Sequence, residues 1–150
     1  MVAFQCYSGS SVGGRHEDAW RAALPPEFNG DVDAELELLQ HHRTLEDKRY
    51  FKDLRGRCAG LIEIRIGFEL ELDDPRSQNE RRRQRKGRRH PERPKINIRI
   101  LGFGTAVDFV LLYGFRKRGE PDYGPACHAA LNRKAGVARD GQRARPCRFP

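Results

Sequence analysis

Two arginines interrupt strand-like runs of this chain: Arg65 in GLIEIRI (60–66) and Arg99 in INIRILGF (96–103). Both runs alternate apolar and polar residues with the period of a half-buried strand. Burying an arginine without a partner is costly, so an arginine on such a strand implies an anion facing it. A third run, 107–115, ends in the cationic cluster Arg116, Lys117 and Arg118. A guanidinium donates two parallel hydrogen bonds to a phosphate, and a lysine adds a compact charge. The chemistry these residues suit is the holding of a phosphate-bearing partner. The alternative for Arg65 and Arg99 is an ion pair on the sheet surface with Glu63, Glu69 or Asp108.

Other groups join them. Lys52, Arg55 and Arg57 in FKDLRGR (51–57) flank the entry to the first of these strands, as a loop that grips a substrate backbone or as a solvated turn. Tyr113 and Phe115 are two apart on a strand and share a face, so one could stack on a base. Core packing is the other reading, and it suits Phe115 better than Tyr113. His41 and His42 lie on a helical stretch away from these runs, and only His128 could come near, so no histidine pair is placed for acid–base chemistry. Cys6, Cys58, Cys127 and Cys147 are far apart, with neither a C-x-x-C pair nor a zinc spacing. They read as reduced thiols of a cytoplasmic protein, with no metal and no cofactor.

The chain has 150 residues, about one domain, and a net charge of +8. Residues 1–75 hold 9 basic and 15 acidic side chains, 76–95 hold 10 and 2, and 96–150 hold 10 and 4. An acidic first half joined to a basic second half suits nucleic acid. No apolar stretch approaches the roughly 20 residues a bilayer needs, and no leader pattern opens the chain, so no membrane partner is expected.

These residues need a frame. Val2–Tyr7 reads as a first strand. A short helix from about His16 carries Trp20 and Leu24 and stops at Pro25-Pro26. A second helix from Asp31 carries Val32, Leu36 and Leu39, with Leu38 widening the stripe. Strands follow at Leu61–Leu72, Ile96–Phe103 and Val107–Phe115, then a helix from Asp122 to about Val137. Residues 73–95 lack any large apolar side chain and read as a flexible basic insert between strands, with Arg82 and Arg85 adding sequence-independent affinity for nucleic acid. A merely solvated loop is the alternative. Residues 139–150 read as a polar tail. The expected fold is α+β: a small antiparallel sheet with its hydrophobic face on two N-terminal helices and its arginines on the other face.

Three segments in order resemble motifs of the RelE/ParE superfamily of toxins, most closely its phage-derived, HigB-like branch. They are KDLRGRCAGLIEIRI (52–66), INIRILGF (96–103) and LLYGFRKR (111–118), and the resemblance extends over roughly residues 15–138. The long insert and the extra tail depart from the family's pattern, as does Asn97 where many relatives carry an aromatic residue. The resemblance implies the toxin of a type II toxin–antitoxin pair, a metal-independent endoribonuclease that cleaves mRNA on the ribosome. It also implies a helix-turn-helix antitoxin as partner. On that reading Arg65, Arg99 and Lys117 are catalytic, and Lys52, Arg55, Arg57, Arg82, Arg85, Tyr113, Phe115 and Arg116 bind RNA. Two rival functions use the same scaffold: a non-enzymatic inhibitor of a host protein such as DNA gyrase, and an RNA-binding module without catalysis.

Overall fold

A computed structural model describes residues 2–9, 19–42, 46–69, 95–105 and 108–147. The expected alternation sets the frame. Strand β1 spans Ala3–Tyr7, β3 Ile62–Glu69, β4 Lys95–Gly104 and β5 Asp108–Arg116. Helix α1 spans Asn29–His42 and α2 Tyr123–Arg139. Two short strands complete a six-stranded mixed sheet: β2 at Phe51–Asp53 and β6 at Ala144–Pro146, in the order β2-β3-β4-β5-β1-β6. The chain divides into two compact units, residues 1–66 with 98–150, and residues 67–97. In the second unit only 67–69 and 95–97 are described.

β4 and β5 pair antiparallel as expected, with Arg99 opposite Phe115 and Leu101 opposite Tyr113. The register slips between Leu101 and Gly102. A Cβ at Gly102 would run into the Val110 carbonyl and the Phe109 ring, so only glycine fits this close approach. β1 adds to the far side of β5 in parallel, with Phe4 opposite Phe109, and β6 pairs antiparallel with β1. The core holds Phe51, Ile64, Ile98, Ile100, Leu101, Phe109 and Leu111, all fully buried. Trp20 and Phe28, on short 3-10 turns, are buried with them, as are Val32, Leu36 and Leu39 of α1. Leu38 does not widen that stripe: it is exposed.

The α+β class holds, but the helices are not both N-terminal. Before α1 the only helical elements among the described residues are the 3-10 turns Ala19–Arg21 and Pro26–Phe28, and 16–18 of the expected first helix lie outside the described residues. The second helix of the fold is α2, after β5. Its first turn sits on the arginine-bearing face, where Tyr123 meets Glu63 and packs edge-on against Phe115 at 5.5 Å. That face is therefore covered in part.

The cysteines overturn the expectation of free thiols. Cys6 is joined to Cys147 and Cys58 to Cys127, each pair with Cα atoms 5.1 and 5.3 Å apart respectively. Separations of 141 and 69 residues hide such pairs from any spacing rule; only the sheet brings β1 to the chain's end and α2 to the turn after β2. The thiol argument for a reducing compartment lapses. The expected tail likewise carries structure through Cys147, since β6 docks on β1. The expected insert at 73–95 lies outside the described residues except for Lys95, the first residue of β4. No described helix is long and apolar enough to cross a membrane.

Candidate functional site

Glu63 on β3 is the organising group. It faces the same side as Arg65, two residues on, and as Lys52, its partner across the β2–β3 ladder. Its side chain is 1% exposed, and burying a carboxylate requires partners. Three converge on Oε1. Tyr123 donates its hydroxyl at 2.9 Å, and Arg65 donates Nε–H at 3.3 Å. Arg99 Nε lies 2.8 Å away but out of line with its N–H, so that contact is charge on charge. Arg99 also donates to the Ile98 carbonyl at 3.0 Å.

The two arginines differ in exposure. Arg99's side chain is 13% exposed and is held behind Glu63, whereas Arg65's is 43% exposed. Arg65 lines a cavity of about 530 Å³ together with Lys52, Arg55, Arg57, Glu63, Lys117 and Tyr123. Five of the cations singled out in the sequence thus share one cleft. Arg99 stands behind its wall. Lys117 Nζ lies 3.3 Å from Glu120 Oε1 and 5.3 Å from the centre of the Tyr123 ring.

The turn that carries Arg55 and Arg57 is fixed from several sides. Gly56 and Gly60 take positive φ values of 65° and 90°, which other residues rarely adopt. Leu54 N–H donates to the Leu61 carbonyl and closes the loop. Cys58 ties it to α2, and Lys134 of α2 donates to the Gly60 carbonyl at 2.8 Å.

Tyr123 is a functional candidate that sequence reasoning missed. Its phenol is pushed up to about 12, mainly by burial, then by the negative charge of Glu63 and the hydrogen bond it donates there. Arg99 pulls the other way. The hydroxyl therefore stays protonated through the neutral range and keeps donating. One signal was present: only six residues, 117–122, separate β5 from α2, so the first turn of α2 must lie beside Lys117.

Tyr113, Phe115 and Arg116 do not line this cleft. They line a second cavity of about 440 Å³, with Arg118, Asp122 and Pro121, and Pro121 borders both cavities. Arg82 and Arg85 lie outside the described residues. No group of three or more His, Cys, Asp or Glu among the described residues is arranged to hold a metal ion.

The cleft can hold an anion against several cations while a buried carboxylate and a neutral phenol keep the inner ones in place. Compared with known proteins, the chain matches no family model, no curated protein and no solved structure.

Proposed function

We propose that the chain binds RNA through this cleft and cleaves it, as a RelE/HigB-like mRNA endoribonuclease acting on the ribosome and held in check by a helix-turn-helix antitoxin. The observation that carries the reading is the meeting of Lys52, Arg55, Arg57, Arg65 and Lys117 around one cavity backed by Glu63 and Tyr123. Five cations against the carboxylates of Glu63 and Glu120 leave an excess of positive charge on the walls. A phosphodiester is the ligand that such an excess selects.

Cleavage has the strand's own 2′-hydroxyl oxygen attack the adjacent phosphorus, its proton passing to solvent, while the bond to the 5′-oxygen breaks and a 2′,3′-cyclic phosphate is left. Charge grows on the phosphoryl oxygens, and fixed cations stabilise it without having to reorganise. Arg65 serves there because its guanidinium faces the cavity and its Nε–H is oriented by Glu63. Lys117, just past the end of β5, donates to the leaving oxygen, while Lys52, Arg55 and Arg57 hold the flanking backbone. Arg99 positions these groups through Glu63 rather than touching substrate.

Inducible expression in a bacterial host tests the reading, with growth followed and mRNA 5′ ends mapped. The expected result is arrest with new ends inside coding regions, and loss of both in Arg65→Ala. Arrest with intact mRNA would favour inhibition of a host protein such as gyrase, and absence of arrest a binding module without catalysis. Arg99→Ala is the poorer probe, because its loss strands a buried carboxylate.

A further inference from the structure

We propose that the second cavity is a nucleobase subsite that seats a guanine of the bound strand, an assignment that rests on the cleft being an RNA site. Position speaks first. Pro121 borders both cavities, so a strand whose phosphate occupies the cleft has a neighbouring base within reach of the second.

The lining speaks next. Tyr113 offers a ring that is partly exposed, tilted 44° to Phe115 at 6.1 Å, and covered on one side by the Arg133 guanidinium at 5.2 Å. Base stacking on such a ring is favourable for any base. The polar groups then discriminate. Arg116 and Arg118 bring donors, whereas Asp122 brings an acceptor. Asp122 Oδ2 accepts the backbone N–H groups of Arg118 at 2.8 Å and Gly119 at 3.0 Å, which fixes the carboxylate. Its Oδ1 receives no hydrogen bond from any described residue. Those backbone donors also hold the carboxyl below the usual carboxylate range, so it is ionised near neutrality.

A bare phosphate can use the two arginines but offers nothing to the carboxylate. A base suits the cavity well. Guanine presents O6 and N7 as a pair of acceptors, the pattern an arginine fork reads best, and its N1–H and N2–H groups as donors for a carboxylate. Adenine offers donors only through its amine, and uracil only a single ring N–H. The match of both arms is what singles out guanine.

The test is a titration of the isotope-labelled full chain, followed by NMR, with the four nucleoside 3′-monophosphates and with ribose 5-phosphate. Guanosine monophosphate is expected to bind about tenfold tighter than ribose 5-phosphate or the uridine nucleotide, given the discrimination of one good bidentate contact. Its shifts should centre on the Arg118 and Gly119 amides. Asp122→Asn should shrink the guanosine-over-adenosine ratio to within about twofold, and Tyr113→Leu should weaken all four nucleotides relative to ribose 5-phosphate by roughly tenfold. Equal affinity for ribose 5-phosphate and guanosine monophosphate in the parent protein would overturn the subsite, with no variant needed. So would shifts confined to residues 52–65, which would leave the cleft reading standing. If guanosine seats here but an unstructured RNA is neither bound nor cut, the RNA reading fails and the base pocket survives.

Discussion

Among the described residues two arginine–carboxylate clusters are buried, and they differ in what they border. Near the N-terminus Arg21 faces Asp33 at 2.8 Å, with both side chains about a tenth exposed and the guanidinium lying 4.5 Å over the Trp20 ring. On β3 and β4, Glu63 answers two arginines and a tyrosine. In the first cluster Arg21 and Asp33 face each other, and neither lines either cavity. The second has a cation in excess, and the excess one is the one that lines the cleft. The same chemistry is sealed in one place and borders a cleft in the other, and what separates the two is exposure.

Breaking the buried partner should cost most. Arg99→Ala leaves Glu63 buried beside a half-exposed arginine, so urea unfolding should show a loss of about 3 kcal/mol or more. Asp33→Ala should destabilise by a comparable amount, about 3 kcal/mol, yet leave RNA affinity per folded molecule unchanged. If Asp33→Ala weakened RNA binding as much as changes in the cleft do, the division of roles would collapse.

Arg65→Ala is expected to invert that pattern. Its pair with Glu63 is substantially exposed, so stability should change by less than about 1 kcal/mol. RNA affinity at fixed salt should fall roughly tenfold, the worth of one charge-assisted phosphate contact. Arg57→Ala should do less: the slope of log affinity against log salt for single-stranded RNA should flatten by about 0.7, as expected for one lost phosphate contact.

The smallest effect is one of pH. The Tyr123 pKa is raised in the fold, so its contribution to stability is fully present below the ordinary tyrosine value near 10. It is lost as the pH rises through about 12. Ultraviolet titration should show one tyrosine ionising last, and Tyr123→Phe should remove both that step and the matching part of the alkaline fall in stability. A single titration wave for all four tyrosines would show that neither burial nor Glu63 holds the phenol protonated.

Much of this was legible from residue order. Alternation marked β1, β3, β4 and β5, although β5 is buried on both faces from Phe109 to Leu112, and helical spacing marked α1 and α2. β2 and β6 were not legible: three residues with a single buried apolar side chain, Phe51, or with none carry no period. The parallel union of β1 with β5 is a matter of topology, as are both disulfides. In the site, Arg65, Lys117 and the 52–57 cations could be named from type and position. That Arg65 and Arg99 would share Glu63 was visible only as one alternative among three carboxylates, since sequence shows which residues share a face but not which is nearest. Tyr123 was missed because its only signal was the shortness of the connection 117–122, not its neighbours in sequence.

The two cross-links are nested along the chain, 58–127 inside 6–147. A protease that cuts once after Arg82 or Arg85 severs the backbone between Cys58 and Cys127. Both bridges then span the cut. The nicked protein would migrate as the intact chain on a gel without reductant and part into two fragments only with it. Lys52 to Arg65 would sit on one fragment and Lys117 with Tyr123 on the other, so the cleft would become a two-chain site stapled by sulfur.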